Sequence, residues 1–296
     1  MQNQKQQLAP VGQKKAGFLY TTVCVMPVML TVILFFFLNA MGIKADADAN
    51  WYRYVCFFLP QVGFALALLA VNLIYAKQPI KLRLSKASFQ VKPRFWGIAL
   101  LLSVGTLFGL SQINTWFTTA LEKIGLKGGG VNVPTMYGWG EYLLSLLVIA
   151  VLPAIIEEAV FRGVILNGIK EAGTLRAVLL SGVLFSLFHQ NPAQTPYQLI
   201  CGCLFALLAL RSGSIFVPVV MHFFNNAFIL SATFFGMPAL PLTVTLLVGL
   251  VALVGGLTWL IFSEKNQRKT AGLKTFYLAA ALGVVYNVIM WIMAAV

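Results

Sequence analysis

Glu157 and Glu158 stand side by side in the apolar stretch IAVLPAIIEEAVFRGVILNGI, with Arg162 one turn further on; they are two of only eight acidic residues in the chain. A carboxylate held in hydrocarbon costs about 3 kcal/mol or more unless it is paired or lines a wet cavity. On a helix, Glu158 and Arg162 lie four residues apart on one face and can pair. Glu157 is rotated by about 100° from Glu158, which leaves its carboxylate for another task. A carboxylate in that position is a competent general base for activating water. An ion pair that glues helices together would account for Glu158 and Arg162 alone, and it is the second, adjacent glutamate that points to chemistry.

Both histidines of the chain also lie in apolar segments. His189 closes Phe185-Ser-Leu-Phe-His189, and His222 opens His-Phe-Phe-Asn-Asn, so His222 and Asn226 project from one helix face. That pair can hold a water or a substrate carbonyl oxygen, or His222 can ligate a metal. Hydrogen bonding between helices, worth roughly 1 kcal/mol, is the plainer role for either histidine taken singly. The four cysteines, Cys24, Cys56, Cys201 and Cys203, fall in apolar runs and read as small buried hydrophobes rather than a disulfide or zinc framework.

The elements that must position these groups are membrane helices. The chain is 59% hydrophobic and 10% charged, far from the roughly 25% charge of a soluble domain. Long unbroken apolar runs select helices over a barrel. Nine runs are read, at 18–41, 53–76, 96–119, 140–168, 174–190, 197–210, 215–235, 241–262 and 273–295. The expected fold is all-α, a polytopic transmembrane bundle of eight or nine helices. A polar tail, 1–17, is expected to be disordered and cytoplasmic, and 18–296 to form a single membrane domain.

The net charge of +13 does not indicate nucleic acid, because the basic residues follow topology. They fill alternate loops, with Lys77, Lys81, Arg83, Lys86, Lys92 and Arg94 in one and Lys265, Arg268, Lys269 and Lys274 in another. Such loops are cytoplasmic, so the N-terminus is expected inside and the C-terminus outside. The natural partner of the charge is anionic lipid. Residues 77–94 alternate basic and apolar side chains and are expected to lie on the membrane surface. The fifth and sixth runs are shorter than the ~20 residues needed to cross hydrocarbon. Their polar, proline-containing connection, 190–196, is expected to stop short of the outer surface. Counted from the cytoplasmic run ends, Glu157 and His222 lie roughly 17 and 10 Å deep and His189 roughly 22 Å. Tilt or a short hairpin must reconcile the third depth with the other two.

Glu157-Glu158-Ala-Val-Phe-Arg162-Gly163, then Phe185-x-x-x-His189, then His222-x-x-x-Asn226 resembles the CPBP family of intramembrane proteases. That family includes the CAAX prenyl endopeptidases and bacterial proteins linked to bacteriocin processing or self-immunity. Arg211-Ser-Gly-Ser214 ahead of Pro218 and His222 resembles the context of its third motif. The resemblance covers about residues 140–235, taken as the catalytic core. It implies an intramembrane endopeptidase in which Glu157 activates the hydrolytic water and His189 helps to position that water or a metal. His222 and Asn226 would stabilise the oxyanion, and Arg162 would hold Glu158. The family has been described both as metalloproteases and as metal-independent glutamate proteases. Glu157, His189 and His222 with one open position would suit zinc, whereas no H-E-x-x-H is present.

The expected substrate is a lipidated peptide, a leader peptide or another membrane protein, and nothing in the chain looks eukaryotic, which places it in a bacterial plasma membrane. Two other readings stand beside this one. A non-catalytic scaffold or self-immunity protein of the same fold would bind without cutting. A transporter would relay protons through the glutamates and histidines; the sparse polar groups of the second, third, eighth and ninth runs argue against that continuous path.

Overall fold

The computed structural model describes residues 11–75, 91–263 and 271–296, and among these the chain is helical without a strand. Nine helices follow in order: α1 Gln13–Ala40, α2 Asn50–Ile74, α3 Arg94–Lys123, α4 Trp139–Ala172, α5 Thr174–Phe188, α6 Thr195–Ser212, α7 Phe216–Phe234, α8 Leu242–Ser263 and α9 Lys274–Ala295. Eight are long and apolar enough to cross a membrane; the shorter one is α5. The expected surface-lying segment 77–94 falls largely outside the described residues, as do residues 1–10.

Outward faces carry large apolar side chains such as Phe36, Phe37, Leu73, Leu247, Phe262 and Leu282, all exposed. In water such a surface would aggregate, and in a bilayer it meets chains as apolar as itself. Tight packing inside the bundle therefore depends on small residues that let backbones approach. Gly109 of α3 faces Gly249 of α8, and Gly182 of α5 faces Gly202 of α6, where a Cβ on Gly182 would stand 2.3 Å from the Cys203 sulfur. Two buried clusters result. One joins α1, α2, α4, α5, α6 and α9, the other joins α3, α6, α7 and α8, and α6 contributes to both.

Several helix ends differ from the apolar runs. The tail expected over 1–17 is helical from Gln13, because Ala16 and Gly17 are buried and Gly17 packs on the Phe276 and Ala280 backbone of α9. The third run is broken over residues 110–112, between Arg94–Gly109 and Ile113–Lys123. The fourth run continues four residues past 168 to Ala172, with Ile169 and Ala172 buried in the first cluster.

This extension of α4 brings Glu157 level with His189. Gly173, with φ 96°, reverses the chain directly from α4 into α5. Glu157 then lies 15 residues before Ala172 (172 − 157), and His189 lies 15 residues after Thr174 (189 − 174). Two antiparallel helices joined by so short a turn hold these side chains at similar height, about 22 Å from the turn.

Candidate active site

The helix that carries the acidic pair is irregular around it. In α4, two π-helical turns, Leu146–Val151 and Ala159–Ile165, flank Leu152–Glu158. Such turns recur at functional sites because they re-aim side chains without ending the helix. Pro153 adds a second effect. It has no N–H to give, so the Ile149 carbonyl loses its donor one turn ahead. Asn226 of α7 supplies the replacement, donating from Nδ2 to the Ile149 carbonyl at 3.0 Å. Asn226 also accepts from Asn225 Nδ2 at 3.3 Å, and Asn225 in turn accepts a hydrogen bond from the Tyr197 hydroxyl of α6.

The two glutamates have separate partners. Glu158 is fully buried, and its Oε1 accepts from Arg162 at 2.8 Å and meets His222 Nδ1 at 3.1 Å. Arg162 also donates to the Gly202 carbonyl at 3.0 Å, where the Gly182–Gly202 contact brings α6 close. Its guanidinium lies over Phe185 and Phe205, 4.5 and 5.2 Å from their ring centroids. Phe205 in turn stacks on His222, with centroids 5.2 Å apart. Arg162, Glu158 and His222 thus form one desolvated network spanning α4 and α7 and tied to α6. Breaking a buried pair of this kind costs about 3–5 kcal/mol, because the survivor keeps an uncompensated charge.

Glu157, 6% exposed, stands outside that network. Its Oε1 accepts from Gln61 Nε2 of α2 at 3.0 Å. His189 ends α5 and lies within electrostatic range of Glu157, Arg162 and His222. Its ring and that of His222 flank Phe185, at centroid distances of 4.9 and 6.1 Å. His189 Nδ1 is 2.7 Å from the Phe185 carbonyl. A carbonyl only accepts, so Nδ1 carries the hydrogen and Nε2 keeps the lone pair of the neutral ring. His222 has the same polarity, with Nδ1 donating to Glu158. The carboxylate fixes ring and tautomer together.

His189 is held from outside its own helix. Gln190, the next residue, has φ 51°, the sole positive φ at a non-glycine among the described residues. Its Nε2 donates to Asn287 Oδ1 of α9 at 2.8 Å, and Asn287 Nδ2 donates to the Tyr20 hydroxyl of α1 at 2.9 Å. Trp291 of α9 donates to Thr195 on the far side of the hairpin at 2.7 Å. Asn191 at the hairpin tip donates to the Gly130 carbonyl at 3.1 Å.

The structure therefore brings together Glu157, Glu158, Arg162, His189 and His222, and ties Asn226 to the backbone of α4. Among the described residues, no three His, Cys, Asp or Glu side chains converge as a group able to hold a metal ion. The set Glu157, His189 and His222 does not fit a zinc site in this arrangement. Sequence reading missed Gln61, the approach of His222 to Glu158, and the Asn287 clamp. For Gln61 and Asn287 the available signal was a lone amide within an apolar run.

Residues 139–228 match the family model described as type II CAAX prenyl endopeptidase Rce1-like. No curated protein and no solved structure gave a match to the chain.

Proposed function

From an α-helical membrane protein whose residues 139–228 carry an Rce1-like CAAX prenyl endopeptidase domain, we propose an intramembrane endopeptidase that hydrolyses a peptide bond with water activated by Glu157. The observation that carries this reading is the division of labour between adjacent carboxylates. Glu158 is fully buried and its Oε1 is shared by Arg162 and His222, with Oε2 unpartnered among the described residues, whereas Glu157 is 6% exposed and accepts a single hydrogen bond, from Gln61.

In the proposed reaction Glu157 takes a proton from water as the water oxygen bonds to the scissile carbonyl carbon. The carbonyl electron pair moves onto its own oxygen, giving a tetrahedral oxyanion. Asn226 retains a second amide hydrogen beyond the one given to Ile149, and His222, one turn earlier on the same face of α7, is held by Glu158. Both are suited to that developing charge. When the oxyanion collapses, the C–N bond breaks and Glu157 returns the proton to the departing amine. His189, with its lone pair on Nε2, helps to hold the water. Arg162 and Glu158 keep His222 oriented.

The substrate class is a membrane-associated or lipidated peptide or protein. The site lies in the core 140–235 of one membrane domain, 18–296, in a bacterial plasma membrane with the N-terminus cytoplasmic. Anionic lipids face the basic loops. The test is cleavage, in liposomes, of a peptide library with farnesylated and unmodified C-termini, run with and without a chelator. Cleavage that persists in chelator is the expected result. A folded protein that cuts none of the library would return the scaffold reading, and cleavage abolished by chelator and restored by zinc would overturn the metal-free mechanism.

A further inference from the structure

Gln61 lies on α2, outside residues 139–228 and about a hundred residues before the acidic pair. Pro60 precedes it, and the chain around it, FFLPQVGFALALLAV, is otherwise apolar. Gln61, Phe64, Ala67 and Val71 recur at helical spacing and are all buried, so Gln61 is the polar member of the stripe that α2 turns inward. Gly63 lets α2 approach α1 at Pro27, where a Cβ would stand 2.9 Å from the proline ring. Phe64, three residues on, packs against Phe188, the neighbour of His189, with centroids 4.9 Å apart. The α2 stripe therefore meets both elements of the site, the acidic pair on α4 and the histidine end of α5.

The orientation of the amide follows from its partner. Glu157 Oε1 is 3.0 Å away, and a carboxylate oxygen only accepts, so the NH2 end of Gln61 must face it. The carbonyl end is then directed elsewhere. Gln61 Oε1 is buried and has no hydrogen-bond partner among the described residues, while the whole side chain is 5% exposed. A buried acceptor left unmatched is expensive, and native structures keep few of them. Water has two hydrogens. Glu157 removes one, and the other must also find an acceptor while the oxygen is aimed at the substrate.

We propose that Gln61 is a further catalytic residue, whose N–H groups hold Glu157 and whose carbonyl accepts the second hydrogen of the attacking water. The water is thus held between two acceptors from different helices, the Glu157 oxygen that takes its proton and Gln61 Oε1. That second hydrogen stays on the oxygen throughout the attack, so the proton count of the reaction is unchanged. The amide accounts for an α2 contribution to a site whose three sequence motifs all lie on α4, α5 and α7. This inference rests on the reading of Glu157 as the base.

The test is steady-state cleavage in liposomes of whichever library peptide the wild-type protein cuts best, comparing Gln61→Met, Gln61→Glu and Glu157→Gln. Gln61→Met keeps the length and loses both polar ends. Gln61→Glu keeps an acceptor and loses the N–H groups. Both are expected to lower kcat by about 10–100-fold, the scale of a hydrogen bond to a charged group, with KM within about twofold of wild type. Residual activity of the Gln61→Met, Glu157→Gln double variant should match that of Glu157→Gln, because the amide acts through the same water. A Gln61→Met variant with wild-type kcat, beside an inactive Glu157→Gln, would overturn the role of Gln61 and leave Glu157 standing. So would a change confined to KM. Full activity in Glu157→Gln, or a wild type that cuts none of the peptides, would overturn the reading of Glu157 and the role of Gln61 with it.

Discussion

Replacing Arg162 by Met should destabilise the protein far more than replacing Arg162 and Glu158 together. The side chain is 1% exposed, donates to Glu158 and to the Gly202 carbonyl, and lies over two phenyl rings. Met fills much of the same volume but leaves Glu158 buried with His222 alone. The uncompensated carboxylate is worth about 3–5 kcal/mol. Losing the guanidinium from the ring faces adds about 0.5–2 kcal/mol. Arg162→Met should therefore lower the thermal unfolding midpoint in detergent severely. Arg162→Met combined with Glu158→Leu removes both charges, and apolar replacement of a buried pair is often neutral or stabilising. The double variant should recover most of the lost stability, yet remain inactive, since His222 Nδ1 would have lost the carboxylate that orients it. Thermal unfolding of the wild type, both single variants and the double variant measures the coupling directly. Additive losses, with the double variant worse than either single, would refute the argument that the network's cost lies in stranding one charge.

Other consequences follow from contacts elsewhere in the bundle. Asn226→Leu removes the donor to the Ile149 carbonyl and should cost about 1–2 kcal/mol in unfolding in detergent, an inter-helical hydrogen bond in an apolar setting. Asn287→Leu unties Gln190 from α9 and α1, and should lower kcat/KM through a displaced His189 while the unfolding midpoint falls modestly. Equal activity in that variant would show that the hairpin keeps its geometry without the clamp. Gly182→Val drives a side chain into Cys203 and the Leu199 carbonyl, and should separate α5 from α6 and abolish activity, whereas Gly255→Ala, with open space around its Cβ position, should leave unfolding unchanged.

Nine apolar runs in the sequence correspond to nine helices among the described residues, because a backbone in lipid has almost no alternative to hydrogen-bonding within its own segment. Helix ends were less legible. The run that becomes α4 reads as ending at 168, ahead of Lys170, but Ile169 and Ala172 are buried against α1 and its neighbours, and the helix carries on. Those four residues shift Glu157 deeper and bring it level with His189. The break over residues 110–112 does carry a signal, since Gly109, Ser111, Gln112 and Asn114 interrupt the apolar run there in the manner of a helix breaker.

Within the site, local contacts followed from spacing. Glu158 and Arg162 are four residues apart and meet as helix geometry requires. Contacts between distant helices did not. His222 is 64 residues from Glu158 and Gln61 is 96 from Glu157, and no periodicity links such positions. The left-handed Gln190 also went unread, since glutamine carries no bias toward that conformation and α9 supplies the partner that holds it.

The central claim is that Glu157, and not its neighbour, activates the water. The most direct measurement is single-turnover peptide cleavage in liposomes by the wild type and by Glu157→Gln, an amide of the same size that accepts no proton at the rate a base requires. The account predicts a fall of about 10²–10⁴-fold in the cleavage rate, the usual contribution of a general base, in a variant that unfolds at the wild-type temperature. Cleavage by Glu157→Gln within a few-fold of wild type would contradict it.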